Sequence, residues 1–180
     1  EFEPVAERYV CDLCQTEGIL DVVYNYQKVN LSIKDLKKNP THSLWRYSPL
    51  LPLSSAAVFP PLQVGYTPMY RQPKLEETMK ISSIFIKDDG RNPTGSLKDR
   101  ASAIGVAKAA EWGKNILCCA STGNAASSLA GFSASMGMKA YIFVPRRAPK
   151  AKVAQLLVYG AKTIIVDDTY DRAFELSIET

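Results

Sequence analysis

The stretch Lys87-Asp-Asp-Gly-Arg-Asn-Pro-Thr-Gly-Ser-Leu-Lys-Asp-Arg100 decides how this chain folds. Before it, the apolar and β-branched residues 81–86 are typical of a buried strand. After it, residues 97–112 have the spacing of a helix that Ser96 can cap. The stretch is therefore predicted to be a strand-to-helix turn that places Lys98 on the first turn of the helix.

Lys98 has two interpretations. The first is a solvated lysine near a helix start, although the positive end of the helix dipole mildly disfavours a cation there. The second is a Schiff-base nucleophile, which partial burial would favour. In open α/β sheets, ligands bind at the carboxyl ends of the strands, where Lys98 is predicted to lie. That position makes Lys98 a candidate catalytic residue.

From residue 80 onward the chain alternates between strands and helices. Short, continuous apolar strands of this kind suit a parallel sheet that is covered on both faces. The predicted fold class is therefore α/β, an open parallel sheet with helices on both faces, preceded by an irregular N-terminal arm. Gly113, Gly137 and Gly160 each follow a predicted helix end, where a left-handed residue is favoured. Strands are predicted at 81–86, 115–120, 140–144 and 162–166, and helices at 97–112, 124–136, 150–159 and from 170 onward.

Residues 1–79 lack this alternation. They contain the knuckle-like Tyr9-Val-Cys-Asp-Leu-Cys14, an apolar piece at 19–26 that is predicted as a short strand, and a short helix at 31–38. The rest of this part is rich in proline and aromatic residues, so we expect an extended arm that wraps over the following domain. The predicted division is an N-terminal part, 1–79, and an α/β domain, 80–180.

A second motif, Ala120-Ser-Thr-Gly-Asn-Ala-Ala-Ser-Ser128, follows a predicted strand and opens the next helix. One interpretation is a capped helix start, since Ser, Thr and Asn are all good N-caps. The other is a seat for a carboxylate or phosphate, because backbone N–H groups are free at the positive end of a helix. Both motifs lie at strand-to-helix turns of consecutive units, so both are predicted at one edge of one parallel sheet. An amine beside an anion seat is what amino-acid chemistry on an aldehyde cofactor requires.

These motifs carry a resemblance to a known family. Asn92-Pro-Thr-Gly-Ser-Leu-Lys-Asp-Arg100, followed by Ser121-Thr-Gly-Asn-Ala125, resembles the fold type II family of pyridoxal-phosphate enzymes, and within it the threonine synthases. Dehydratases of the family usually have a Ser-Ala-Gly-Asn-His loop and cysteine synthases a Thr-Ser-Gly-Asn-Thr loop. The resemblance extends from Tyr9-x-Cys-x-x-Cys14 through Gly65-Tyr-Thr-Pro68 to residues 151–161, which is nearly the whole chain.

The resemblance implies a cofactor, pyridoxal 5'-phosphate, held covalently by Lys98, which then moves protons at the substrate's α and β carbons. It implies that Asn124 hydrogen-bonds the ring hydroxyl of the cofactor. The substrate carboxylate is expected at Ser121, Thr122 and the amides around Gly123 and Ala125. The implied reaction converts O-phospho-homoserine and water into threonine and phosphate.

Two positions depart from the family pattern, since Leu97 replaces a common Phe and Asp89 a common Glu. The family's glycine-rich cup for the cofactor phosphate lies in a second half that these 180 residues do not contain. We therefore expect the chain to be the N-terminal part of a longer enzyme and a weak cofactor binder by itself. Two alternatives stay open, a related enzyme acting on O-phosphoserine, such as a cysteate synthase, and a non-catalytic regulatory domain.

Composition and charge indicate which classes of binding partner are unfavourable for this chain. The net charge is +4, with Lys and Arg spread along the chain, which disfavours nucleic acid as a partner. No apolar run approaches the roughly 20 residues of a membrane span, and no secretory signal opens the chain. We therefore expect a cytoplasmic location. The resemblance implies a small phospho-amino-acid substrate, and we also expect a homodimer.

The four cysteines lie close together in two places in the sequence, at positions 11 and 14 and at positions 118 and 119. Cys11 and Cys14 could supply half of a zinc site, but a closed site needs four ligands and the sequence adds only His42. No metal is therefore predicted. Cys118 and Cys119 are predicted to be small buried hydrophobic residues on opposite faces of a strand.

Overall fold

The chain contains six α-helices and five strands over the residues that a computed structural model describes, which are 2–3, 5, 8–14 and 18–180. Short 3-10 segments lie at Tyr26–Lys28, Leu44–Leu50 and Asp89–Arg91. Over these described residues, no helix is both long enough and apolar enough to cross a membrane. In chain order the elements are α1 (Ile33–Lys38), β1 (Met69–Arg71), α2 (Pro73–Met79), β2 (Phe85–Lys87), α3 (Asp99–Glu111), β3 (Ile116–Ala120), α4 (Asn124–Ser135), β4 (Lys139–Pro145), α5 (Lys150–Val158), β5 (Lys162–Val166) and α6 (Tyr170–Glu179).

The main sheet consists of three parallel strands, with β4 between β3 and β5. Helices α4 and α5 provide the crossovers between consecutive strands, as parallel neighbours require. Each of these strands and helices begins and ends within one residue of its predicted bounds. Gly113, Gly137 and Gly160 adopt positive φ just beyond α3, α4 and α5, as predicted.

Both faces of the main sheet are covered, because the side chains of β4 alternate between two clusters. Ile142 and Val144 pack on one face against α4 and α5, where Leu156 is buried. Phe143 packs on the opposite face with Ala173 of α6. The predicted α/β fold with helices on both faces is therefore confirmed.

The neighbouring cysteines of β3 also divide between the two faces. Cys119 packs against the α4 and α5 cluster, whereas Cys118 packs against the α6 cluster. Burial raises the pKa of the Cys119 thiol to about 12. Because the thiolate is the reactive form, Cys119 is an inert packing residue, as the sequence predicted.

The strand that precedes Lys98 differs from the prediction. The sequence predicted a buried strand at 81–86 within the parallel sheet, but β2 has three exposed residues and pairs antiparallel with β1 in a separate sheet. Glu76 of α2 fixes this pairing, since its carboxylate accepts from the Ile84 N–H at 2.9 Å and binds Arg71 of β1. A carboxylate on the intervening helix therefore selects a local partner for β2.

The N-terminal part is irregular, as expected. The predicted strand at 19–26 is wrong, since Ile19 makes a single bridge to Val10 and the 3-10 segment Tyr26–Lys28 follows. Helix α1 is present and carries a capping box formed by Ser32 and Asp35. Further along, the fully buried Val64 packs against Ala103, Val106 and Phe132 of α3 and α4. The division of the chain at residue 79 stays a prediction.

Candidate active site

Lys98 lies immediately before α3, at the N-cap position. Its N–H donates to Ser96 Oγ at 3.2 Å, and its carbonyl accepts from the Ser102 N–H at 3.0 Å. The sequence placed Lys98 inside the helix, so the helix begins slightly later than predicted. The side chain is exposed, and within the described ranges its ammonium has no ion-pair partner. The amine is therefore available for chemistry.

The residue after Lys98 anchors the turn. Asp99 is fully buried, and its carboxylate accepts from the Thr94 N–H at 2.7 Å and from the Thr94 hydroxyl. Both bonds join Thr94 to Asp99, so they close residues 94–99 into a turn. A carboxylate at the first position of α3 also complements the helix dipole.

A second carboxylate ties the turn to the 64–67 segment. Arg100 donates from Nε and Nη2 to the two Asp89 carboxylate oxygens, each at 2.8 Å. The Thr67 hydroxyl donates to Asp89 Oδ1 at 2.5 Å, and Lys87 Nζ donates to the Thr67 carbonyl at 2.8 Å. The Arg100 guanidinium, with help from Thr67, holds the pKa of the Asp89 carboxyl well below its usual range. Both carboxylate oxygens of Asp89, the aspartate that replaces the family's common glutamate, therefore accept hydrogen bonds.

The same junction requires a glycine. Gly65 has a φ of +74°, and a Cβ added there would lie 2.9 Å from Arg100 Nη1. Its N–H donates to Asn92 Oδ1 at 2.9 Å, and the Asn92 amide donates to the Asp89 carbonyl. Gly65 and Tyr66 both have positive φ, and the bend that they form lies directly against the turn that carries Lys98.

The loop Ser121–Asn124 between β3 and α4 is built differently. The Ser121 N–H donates to the Phe143 carbonyl at 3.2 Å, and the Gly123 N–H donates to Ser121 Oγ at 3.2 Å. Gly123 takes the N-cap position, and no side chain caps the helix. The first amides of α4 therefore lack acceptors within the helix, as at any uncapped helix start. This geometry favours the anion-seat interpretation over the capped helix start.

Gly123 has no steric reason to be glycine within this chain. Its φ is −132°, which other residues adopt. A Cβ added there would meet no atom within 4 Å. The open space lies beside the free amides of α4, so a ligand that approaches the backbone would explain the missing side chain.

Asn124, Ala125 and Thr122 complete the predicted site. Asn124 and Ala125 are exposed at the start of α4, and Thr122 is half-buried. The Asn124 side chain accepts from Lys152 Nζ of α5 at 2.7 Å. The sequence did not single out Lys152, because the residues around it in the chain do not reveal a contact with another helix.

The sheet edge that was predicted to bring the two motifs together is absent from the part of the chain that the structure describes. The strand before Lys98 does not belong to the parallel sheet, so the two turns do not share a sheet edge. Instead α3 packs directly on α4, and a Cβ added at Gly131 of α4 would lie 2.8 Å from Thr94 Cγ2. Gly131 lies about 10 Å along the helix axis from Asn124. The turn that carries Lys98 therefore packs on the helix that the second motif opens.

Two other features do not join this site. A shallow depression is lined by Gln63, Tyr66, Arg91 and Pro93, and neither Lys98 nor the 121–125 loop contributes to it. Cys11 and Cys14 adjoin Gly18, whose N-terminal neighbours lie outside the described residues. Among the residues that the structure describes, no group of three His, Cys, Asp or Glu side chains could hold a metal ion.

Comparison with protein families gives one match to the chain, over residues 61–180. The matching family is described as pyridoxal-phosphate dependent enzyme. The matched segment covers two thirds of the sequence and includes Lys98, the 121–125 loop and Lys152.

Curated relatives match over a longer range. The chain is similar to the threonine synthase of Methanosarcina acetivorans, with 38% identity over 169 residues, and to that of Methanocaldococcus jannaschii, with 36% identity over 165 residues. These alignments cover 93% and 91% of this chain but 40% and 41% of the relatives. The chain therefore spans about two fifths of the length of the curated relatives it matches.

Solved structures show a similar backbone. The processed form of threonine deaminase isoform 2 from Solanum lycopersicum matches with a TM-score of 0.56 at 21% identity, over 63% of this chain and 31% of that one. Apo diaminopropionate ammonia lyase from Escherichia coli matches with a TM-score of 0.55 at 20% identity, over 69% and 38%. At these identities the likeness concerns the fold alone.

Proposed function

The chain belongs to the family of pyridoxal-phosphate dependent enzymes, and from this premise we propose that it is the N-terminal part of a threonine synthase. The reaction would consume O-phospho-homoserine and water and release threonine and phosphate. One observation carries the proposal, namely that the Lys98 turn and the Ser121–Asn124 loop occur in a chain similar to threonine synthases over nearly its whole length. The short coverage of those relatives supports a second half elsewhere in the natural protein.

The residues present fit the cofactor. Among the residues that the structure describes, the Lys98 ammonium has no ion-pair partner, so it would supply an amine for the aldehyde carbon of the cofactor. The uncapped start of α4 would supply backbone donors for anionic groups. When bound, pyridoxal phosphate draws electrons away from the substrate's α carbon and so eases removal of the α proton.

Each residue has a definite role in this proposal. Lys98 Nζ holds the cofactor and afterwards takes and returns protons at the α and β carbons of the substrate. The Asn124 amide donates to the cofactor's ring hydroxyl oxygen. The hydroxyls of Ser121 and Thr122, with the amides of Gly123 and Ala125, bind the substrate carboxylate. In this proposal the α and β carbons would each give up a proton, and phosphate would leave from the γ carbon. The γ carbon would then gain a proton and become the methyl group, the hydroxyl of water would add at the β carbon, and the α carbon would be reprotonated.

Product analysis with the complete natural protein tests the reaction. We expect phosphate and threonine from O-phospho-homoserine, and no turnover from O-phosphoserine with or without sulfite. Lys98→Ala should abolish phosphate release, because no other group replaces the amine, whereas Lys162→Ala at the exposed start of β5 should retain it. Phosphate release by Lys98→Ala would overturn the catalytic role, and sulfite-dependent turnover of O-phosphoserine would establish the related enzyme instead.

Location, oligomeric state and cofactor affinity belong to the same proposal. We propose a cytoplasmic homodimer, and expect the 180 residues alone to bind pyridoxal phosphate weakly because the cup for its phosphate lies outside them. Size-exclusion chromatography with light scattering tests the dimer, and cofactor titration of both lengths tests the cup. Equal affinity of the short and complete chains would contradict the second expectation.

A further inference from the structure

Lys152 connects the core between α4 and α5 to the first residue of α4. Its Nζ donates to Asn124 Oδ1 at 2.7 Å and to Gln155 Oε1 at 3.3 Å. Ser127, which is 1% exposed, donates to the same Gln155 oxygen at 2.9 Å. The Gln155 oxygen therefore accepts from both the buried Ser127 hydroxyl and Lys152. Lys152 in turn donates to Asn124.

This contact fixes the orientation of the Asn124 amide. An ammonium group has three donors and no acceptor, so only the amide oxygen of Asn124 can face Lys152. The amide NH2 is then the part left to meet a ligand, and it can only donate. A hydrogen bond from a charged donor also polarises the amide and strengthens that donation.

Lys152 lies in the first turn of α5 and contacts the first residue of α4, so it is close to the positive ends of two helices. Neither α4 nor α5 has an acidic residue in its first turn or a side chain that caps it. The other α-helices of the described chain each have an acidic first-turn residue. A cation beside two uncapped helix starts is unfavourable by itself, and an anionic oxygen bound there would offset this cost.

We propose that Lys152 is a positioning residue for the cofactor. It directs and polarises the Asn124 amide so that its NH2 donates to the cofactor's ring oxygen in the anionic form. This inference rests on the proposed function, since it takes pyridoxal phosphate as the ligand of the 121–125 loop. In this way α5, the helix between β4 and β5, contributes to cofactor binding.

A double-mutant cycle on the complete natural protein tests this role, with the dissociation constant of pyridoxal phosphate as the readout. Lys152→Met should weaken binding about tenfold, the size of one charged hydrogen bond, and Lys152→Arg should recover most of it. In an Asn124→Ala background, Lys152→Met should change the constant less than twofold, because its effect passes through Asn124. Lys150→Met, at the start of the same helix, is the matched control and should bind as the wild type does.

The spectrum of the bound cofactor gives a second readout. Removal of a nearby positive charge favours protonated forms, so the pH at which the bound cofactor's absorbance changes should move upward in Lys152→Met. If that variant does not fold, Lys152→Gln takes its place, since it keeps a donor N–H without the charge.

The outcomes separate the two proposals. Wild-type affinity and an unchanged pH midpoint in Lys152→Met would overturn this inference alone. A tenfold loss that persists in the Asn124→Ala background would also overturn it, because Lys152 would then act without Asn124. A wild-type protein that binds no pyridoxal phosphate would overturn both this inference and the proposed function.

Discussion

The turn that carries Lys98 and the loop that opens α4 follow the same plan, strand to helix, but they are built in opposite ways. In the Lys98 turn, buried Asp99 closes the segment and the Asp89–Arg100 pair ties it to Thr67. In the Ser121–Asn124 loop, no side chain caps the helix and Gly123 faces open space. In the first region the polar groups form hydrogen bonds with one another, whereas in the second backbone donors remain without acceptors in the described residues.

The difference follows from what each region must do. A long, flexible lysine can hold a reactive amine in one place only if its backbone is fixed, so the bonds of the Lys98 turn are internal. An anion seat must keep backbone N–H groups without partners until the ligand arrives. We therefore expect substitutions in the first region to change stability strongly and substitutions in the second to change it little.

The largest effect is expected from Asp99→Ala. The substitution removes two hydrogen bonds from a fully buried carboxylate and leaves the Thr94 N–H without its acceptor. We expect the free energy of unfolding to fall by about 3 kcal/mol, as measured by urea denaturation.

Asp99→Asn is the matched control for that loss. Its amide oxygen can still accept from the Thr94 N–H, and the Thr94 hydroxyl can rotate to accept from its NH2. We expect this variant to recover most of the stability. A loss below 0.5 kcal/mol for Asp99→Ala, on the scale of ordinary surface changes, would show that the turn does not depend on this carboxylate.

A smaller effect, with a pH signature, is expected from Asp89→Asn. The side chains of Asp89 and Arg100 are 23% and 31% exposed, so at pH 7 we expect a loss of about 1–2 kcal/mol. Because the pKa of Asp89 is lowered in the folded state, its contribution is complete above the unfolded value of about 3.9 and declines as the pH falls below it.

Unfolding measured between pH 7 and pH 2.5 checks this sign. The stability difference between wild type and Asp89→Asn should be constant near neutrality and should shrink below about pH 4. A difference that grows as the pH falls would contradict the assigned ion pair. A difference independent of pH would mean that packing, and not charge, holds the 64–67 segment to the turn.

The smallest change in stability is expected from Gly123→Ala. The backbone there has an ordinary φ, and the added methyl meets no atom of the described residues within 4 Å. We expect the free energy of unfolding to stay within about 0.5 kcal/mol of wild type. In the complete protein, however, the methyl would occupy the space beside the α4 amides and weaken binding of the substrate carboxylate.

Substrate titration together with denaturation separates the two effects. A stable Gly123→Ala protein that binds substrate as the wild type does would contradict the anion seat. A strongly destabilised variant would instead contradict the contrast between the two regions.

The sequence predicted most accurately where local signals and burial agree. The run at 116–120 is continuous and apolar, and glycines mark the ends of α4 and α5, so these elements match within a residue. Helix α3 also ends as its glycine predicts but begins two residues later than expected. The run at 81–86 is also largely apolar and β-branched, but hydrophobicity does not identify the strand with which it pairs. The bond from Ile84 to Glu76 settles that pairing, and a contact eight residues apart is not readable from hydrophobicity.

The candidate site shows the same limit. Lys98 and Asn124 stand in recognisable motifs, so the sequence could single them out. Lys152 lies on another helix, and its contact with Asn124 depends on how α5 packs on α4. Asp99 has an intermediate status, since it adjoins Lys98 in the motif but its complete burial appears only in the folded chain. Residues that position others are therefore the ones that sequence patterns miss.

The central claim is that the exposed amine of Lys98, held by a rigid turn, carries the cofactor. Borohydride reduction of the complete natural protein in the presence of pyridoxal phosphate, followed by peptide mass spectrometry, tests it most directly. We expect one pyridoxyl-phosphate adduct per chain, on Lys98, and none on the Lys98→Ala variant. An adduct on a different lysine, or no adduct at all on the wild-type protein, would contradict it.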